Sequence, residues 1–237
     1  MTGPETGLRE IIGRSRHLLL DFDGPVCSIF AGTPAPVIAG VLRQRLRAAG
    51  ITLPPEATTE GDPLEVFRIA ANLGDDVAEL ANRELTRLET LAVTTAQPTL
   101  GAADLITAAW QTGRTVSIVS NNSGHAITQY LTVHHVLAHI TAIVGRDDAD
   151  PALMKPSPYR VRIAVGSLRA EPEDCVFIGD TLTDVLAGLL GGVTVIGYAN
   201  KPGKAEALIH AGAQVVTTDL AEITTALRAT PSAALPN

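Results

Sequence analysis

From Gly101 onward the chain alternates short apolar runs with stretches of helical periodicity, and few folds accommodate that pattern. Strands are predicted at Thr115–Ser120, Ile140–Val144, Cys175–Ile178, Val193–Ile196 and Gln214–Val216. Between them fall helical segments near Ala102–Trp110, His125–Val136, after Pro158, Thr183–Leu190 and Lys204–Ala211, with a last helix from Leu220. One further strand, His17–Phe22, stands near the N-terminus. Strands this short and apolar, joined by helices, imply an α/β fold with a parallel sheet covered on both faces. Ligands in such sheets bind beyond the carboxyl ends of the strands. The residues that follow each strand are therefore the ones to search for chemistry.

Residues 27–97 read differently. After a Gly/Pro-containing stretch, Ala31–Pro36, the apolar spacings Val37, Val41, Leu46, Ala49, then Leu64, Phe67, Ala71, then Val77, Leu80, Leu88, Leu91 each predict a helix. No convincing strand interrupts them, so the expected organisation is a core of residues 1–26 and 98–237 with an all-helical insertion at 27–97. At 237 residues and 46% hydrophobic composition the chain can bury a full core beside a small satellite domain. The Pro/Ala-rich end, Thr230–Asn237, reads as a frayed tail.

A formal net charge of -7 with no basic stripe argues against a nucleic-acid partner. The first sixteen residues mix Glu5, Arg9, Glu10, Arg14 and Arg16 and do not form a leader, and no apolar run approaches the roughly 18 residues of a membrane span. A cytoplasmic location, without membrane, is the resulting expectation. Cys27 and Cys175 are too few for a disulfide framework and are expected as buried thiols, Cys27 close enough to the first strand end to line a site.

The first strand runs Leu18-Leu19-Leu20 into Asp21-Phe22-Asp23-Gly24. Alternation directs Asp21 and Asp23 to the same side, where mutual repulsion favours a bound cation or one protonated member. The competing reading is a pair capping a turn. The second strand ends in Ser120-Asn121-Asn122-Ser123-Gly124, whose hydroxyl, amide and backbone N–H groups form either an oxyanion cradle or a plain helix cap. A third segment, Phe177-Ile178-Gly179-Asp180 followed by Asp184, places another acid on the same sheet edge, as a hard oxygen-liganded cation requires; helix capping competes there too. Between them, in Met154-Lys155-Pro156-Ser157-Pro158, Lys155 is fixed by two prolines in a chain with only three lysines beside fifteen arginines, so it is unlike a random solvated charge; a surface lysine in a loop is the competing reading.

In order, Asp21-Phe22-Asp23-Gly24, Ser120-Asn121, Lys155-Pro156 and Gly179-Asp180 with Asp184 resemble the four signature motifs of the haloacid dehalogenase superfamily. The resemblance implies a Rossmann-like core with residues 27–97 as the family's helical cap, in the manner of its phosphoglycolate phosphatases. It implies Asp21 as nucleophile, Asp23 as the acid and base, Ser120, Asn121 and Lys155 around the phosphoryl oxygens, and Mg2+ held by Asp21, the Asp23 carbonyl and Asp180, with Asp184 behind them. The activity implied is hydrolysis of a small-metabolite phosphate monoester through a phosphoaspartate, by a monomer or homodimer. Pro25 departs from the pattern and removes a backbone donor near the phosphate site. Dehalogenases of the superfamily lack the second aspartate, kept here as Asp23, and phosphonatases need a cap lysine that residues 27–97 do not contain. A phosphomutase, or a non-catalytic binding or regulatory module, are the alternatives. The cap arginines Arg43, Arg45, Arg47, Arg68, Arg83 and Arg87, spread among nine acids, read as a solvated face.

Overall fold

A computed structural model of the chain describes residues 4–230; most of the tail noted above, 231–237, lies outside them. The elements in chain order are α1 Pro4–Arg14, β1 His17–Leu20, β2 Cys27–Ser28, α2 Ala35–Ala48, α3 Pro55–Thr59, α4 Pro63–Ala71, α5 Asp75–Ala92, β3 Gln97–Pro98, α6 Ala102–Gln111 and β4 Thr115–Val119. They continue with α7 Gly124–Val133, β5 Ala142–Val144, α8 Tyr159–Ser167, β6 Cys175–Gly179, α9 Leu182–Leu190, β7 Thr194–Tyr198, α10 Lys204–His210, β8 Val215–Thr217 and α11 Leu220–Ala229.

Six strands form one parallel sheet in the order β5-β4-β1-β6-β7-β8. The chain builds outward from β1 on one side, crosses back, and builds outward on the other. This reversal puts the switch point between β1 and β6, and Leu20 sits opposite both Ile118 and Ile178 in register. Alternation along β1 sends Leu18 and Leu20 to one apolar cluster and Leu19 to another on the opposite face. Strand β6 does the same, with Val176 and Ile178 on one side and Cys175 and Phe177 on the other. The chain is thus an α/β Rossmann-like fold with helices on both faces.

Helices α2 to α5 lie between β2 and β3, which pair antiparallel as a two-residue ribbon. The insertion is helical as expected, but the faces of its helices are rotated from the sequence reading. In α2 the buried positions are Ile38, Ala39, Leu42 and Leu46, while Val37 is 51% exposed; in α4 they include Val66, Phe67 and Ala70. These helices hold more apolar residues than one stripe needs, so the neighbours they pack against choose the face. The sequence reading includes neither α1, which buries Leu8, Ile11 and Ile12 on one face, nor the five-residue α3, which is too short to carry an amphipathic period.

Helix α9 brings the last sequence motif to the sheet, and Gly188 allows its close approach. A Cβ built there would stand 2.4 Å from Val195 Cγ2 and 3.2 Å from Phe177 Cδ1. Gly188→Ala is therefore expected to destabilise the protein by about 1–2 kcal/mol, overpacking outweighing the roughly 1 kcal/mol gained in helix propensity. Urea unfolding measures it; a more stable variant contradicts the packing argument.

Candidate active site

Asp21 directly follows β1 and still belongs to its ladder, its N–H donating to the Ile178 carbonyl at 3.0 Å. The alternation that sends Leu19 toward Phe177 carries Asp21 to the same side, beside the carboxyl end of β6. There Lys155 Nζ stands 2.7 Å from Asp21 Oδ1 and 2.5 Å from Asp184 Oδ1. It also donates to the Val119 carbonyl at 3.3 Å and lies 5.5 Å from the centre of the Phe177 ring. The lysine is buried, not a surface loop charge.

Asp184 divides its oxygens between two tasks. Oδ2 accepts from the N–H groups of Asp180 and Thr181 and from the Thr181 hydroxyl, closing a capping box at the start of α9, while Oδ1 meets the ammonium. Capping and electrostatics, which compete as readings of the sequence, coexist in one side chain. Two glycines make room. A Cβ on Gly179 would meet Asp184 Cβ at 2.3 Å, and one on Gly24, held at φ 118°, would meet the Asp180 carboxylate at 2.4 Å.

Ser120 and Asn121 sit beyond β4. The Ser120 hydroxyl is buried and bonds with Asn122. The Asn121 side chain clamps the backbone of Lys155, accepting its N–H at 2.8 Å and donating to its carbonyl at 3.3 Å. Asp23 accepts the Ile29 N–H at 3.0 Å. Pro25 falls in a turn closed by the N–H groups of Val26 and Cys27 on the Phe22 carbonyl, so the turn forms without a donor at position 25. Asp21, Asp23, Ser120, Asn121, Lys155 and Asp184 line one cavity of about 540 Å³. The insertion supplies its other wall, including Pro36, Asp62, Leu64 and Arg68.

Burial pushes the Asp21 carboxyl up to about 7, with Asp184 and Asp180 adding to the rise against the pull of Lys155. Burial likewise lifts Asp23 to about 6, opposed by the Ile29 N–H. The burial of Lys155 disfavours its ammonium, yet Asp184 and Asp21 outweigh that and its pKa is raised. Both cysteines are free and buried, and burial raises each thiol.

Asp21, Asp180 and Asp184 each offer a carboxylate oxygen within 4.8 Å of the others. Among the described residues Asp180 Oδ1 is buried with no hydrogen-bond donor. An all-oxygen, anionic set with a free buried oxygen has the chemistry of a hard divalent cation site, so these residues fit Mg2+.

Sequence reasoning missed several participants. Asp180 Oδ2 is held by Lys204 and by Asn200 Nδ2, from the turn after β7. Arg68, read as solvated, donates to the carbonyl of Lys155 at 2.8 Å. Glu84 and Glu89 are buried rather than part of an exposed face. Glu89 left a trace in the sequence, since it interrupts the apolar stripe of Leu85, Leu88 and Ala92.

A Rossmann-like sheet with an aspartate beyond its central strand, a helical insertion over it and a lysine–carboxylate cluster at the switch point defines a class of hydrolases. The sequence profile of the haloacid dehalogenase-like hydrolase family matches residues 63–198, and the chain belongs to that family. It is similar to the phosphoglycolate phosphatase of Yersinia pseudotuberculosis, 26% identical over 100 residues, covering 41% of this chain and 42% of that one. Such matches span between 40% and 44% of the length of the curated relatives. Among solved structures, a haloacid dehalogenase-like hydrolase from Bacteroides fragilis superposes with a TM-score of 0.69 at 20% identity, over 88% of this chain and 99% of that one. A HAD family hydrolase from Deinococcus radiodurans, with bound phosphate and sodium, gives 0.60 at 26% identity, over 92% and 97%. Among the described residues no helix is long and apolar enough to cross a membrane.

The raised Asp21 pKa has a consequence for stability without metal. The folded protein holds a proton that the unfolded chain releases near 3.8, so the penalty is absent below about pH 4 and complete above about pH 7. Asp21→Asn removes it. In EDTA at pH 8 this variant should melt a few degrees above the wild type, the gap closing toward pH 4; a lower melting point at pH 8 contradicts the assignment.

Proposed function

We propose that the chain is a phosphatase that hydrolyses the phosphate monoester of a small metabolite through a phosphoaspartate on Asp21. The reading rests above all on Lys155 Nζ standing between the carboxylates of Asp21 and Asp184. An ammonium there lowers the repulsion between a phosphate dianion and an anionic nucleophile. Asp21 Oδ1 or Oδ2 attacks phosphorus, the ester P–O bond breaks, and Asp23 gives its proton to the departing alkoxide. Asp23 then takes a proton from water as that water attacks the acyl phosphate, which returns Asp21 and frees inorganic phosphate. A carboxyl lifted to about 6 by burial is suited to act as acid in one half-reaction and base in the next. Ser120, the backbone N–H of Asn121 and Lys155 hold the phosphoryl oxygens.

Mg2+, when bound, supplies charge that neutralises the phosphoryl oxygens. Asp21, the backbone carbonyl of Asp23 and Asp180 would hold it, with Asp184 fixing Lys155 from behind. Residues 27–97 act as a cap over the core formed by 1–26 and 98–237, and cap side chains face the departing group across the cavity. The phosphoglycolate phosphatase and phosphate-bound relatives support a small phosphorylated metabolite as substrate.

Purified protein should release phosphate from p-nitrophenyl phosphate only with Mg2+, and Asp21→Asn should lower turnover at least 1,000-fold, as expected for loss of a covalent nucleophile. Lys155→Met should cost on the order of 100-fold. A panel of phosphorylated metabolites that includes phosphoglycolate identifies the substrate class. Protein inert across the whole panel in the presence of Mg2+ contradicts the proposal.

A further inference from the structure

Helix α5 buries an acid where its packing asks for an apolar side chain. Leu85, Leu88 and Ala92 form the buried stripe, and Glu89 stands among them, fully buried. A carboxylate removed from water is costly unless it is paired and hydrogen-bonded, and every partner of Glu89 named below lies outside the insertion. Its Oε2 is 2.7 Å from Arg146 Nη2, with both side chains inaccessible to solvent, and also accepts the Ser123 N–H at 3.0 Å. Its Oε1 accepts from Asn122 Nδ2 at 3.1 Å.

Arg146, just past β5, turns its other donors to the same segment. Its Nε donates to the Asn121 carbonyl at 3.1 Å and its backbone N–H to the Asn122 carbonyl at 2.8 Å. Its remaining contacts reach the insertion: Nη1 pairs with the Asn82 side chain, and the guanidinium carbon stands 5.1 Å from the centre of the Phe67 ring. Neither Glu89 nor Arg146 lines the cavity.

The consequences run forward through the turn. Asn122, held by Glu89, accepts the Ser120 hydroxyl on its Oδ1 and donates its backbone N–H to Ser120 Oγ, both at 3.3 Å. Asn121, whose carbonyl Arg146 holds, clamps the backbone of Lys155. We infer that Glu89 and Arg146 are positioning residues, an ion pair shared between the insertion and the core that shapes the 121–123 turn and thereby aims Ser120, the Asn121 N–H and Lys155 at a phosphoryl group. The last helix of the insertion is then part of the phosphate-binding apparatus as well as a cover for it. The inference rests on the phosphatase reading only in naming what the turn holds.

Stability alone does not account for the pair, because buried ion pairs are often replaced by apolar groups with little loss. That fact supplies the test. Glu89→Leu combined with Arg146→Met removes both charges together, and folding is checked by circular dichroism and melting. Inorganic phosphate affinity and Mg2+ affinity are then measured separately by calorimetry, with turnover of p-nitrophenyl phosphate alongside. The folded double variant should bind phosphate at least 10-fold more weakly and turn over about 100-fold more slowly, as for a misplaced reacting group, with Mg2+ affinity unchanged. Wild-type phosphate affinity and turnover in the folded double variant overturn the inference.

Asn122→Ala, which leaves the ion pair in place, removes the Oδ1 acceptor of the Ser120 hydroxyl and the Nδ2 bond to Glu89 while keeping the backbone N–H on Ser120 Oγ, and it decides the matter if the double variant does not fold. It should weaken phosphate binding in the same direction, and wild-type affinity overturns the proposal. Amide hydrogen exchange at residues 121–124 of Glu89→Gln adds a readout independent of activity, expected to accelerate there while β1 and β6 stay protected; unchanged exchange overturns the inference by itself. A wild-type protein that neither binds nor releases phosphate refutes the phosphatase reading, and the exchange result still decides whether Glu89 holds the turn.

Discussion

The structure around the site depends on one buried ammonium. Asp21, Asp180 and Asp184 converge at the carboxyl edge of the sheet, where three carboxylates close together and largely dry repel one another. Lys155, placed between two of them, makes the cluster tolerable, and the cluster in turn makes a buried lysine tolerable. Three chain segments distant in sequence are joined by this exchange: the end of β1, the loop before α8 and the start of α9. Gly24 and Gly179 are required by the same crowding, since a Cβ at either position would occupy the space of an aspartate side chain.

The helical insertion is tied into that arrangement by its arginine and acid side chains. Arg68, on α4, reaches the carbonyl of Lys155, and Glu89, on α5, reaches the turn beyond β4. Both contacts end on backbone of the core or on the side chain next to it. The wall that α4 contributes to the cavity is therefore held by the same segment that carries Lys155. Lys204 and Asn200 grip one oxygen of Asp180 and leave the other buried without a hydrogen-bond donor.

Much of this was legible from residue order. The βα alternation after Gly101 anticipated the five sheet strands that follow it to within about two residues, because short apolar runs between helices have little choice but a covered parallel sheet. Asp21 and Asp180 were visible as acids at strand ends, Asp184 as an acid near a helix start, and Lys155 as a rare lysine beside two prolines. The buried faces of α2 and α4 were not legible, because Val37 and Ile38 are equally apolar and only the neighbouring helices distinguish them. Nor was the pairing of Glu89 with Arg146, which lie 57 residues apart in the chain: the acid interrupts an apolar stripe, but nothing local says what it meets. The cap arginines illustrate the same limit: helical spacing suggests a solvated face for all six, and Arg68 is singled out only by the carbonyl it meets.

What the sequence determined by itself was the class of fold and the chemistry available at its edge, since periodicity is local and a carboxylate, hydroxyl or ammonium is the same group wherever it lies. What only the tertiary structure decided was which groups share a charge environment. The division of Asp184 between a helix cap and an ammonium, the rise of Asp21 to about 7, and the anchoring of the 121–123 turn from the insertion all depend on distances across the sheet edge. Burial and Coulomb interactions act through space, and the order of residues along the chain does not contain them.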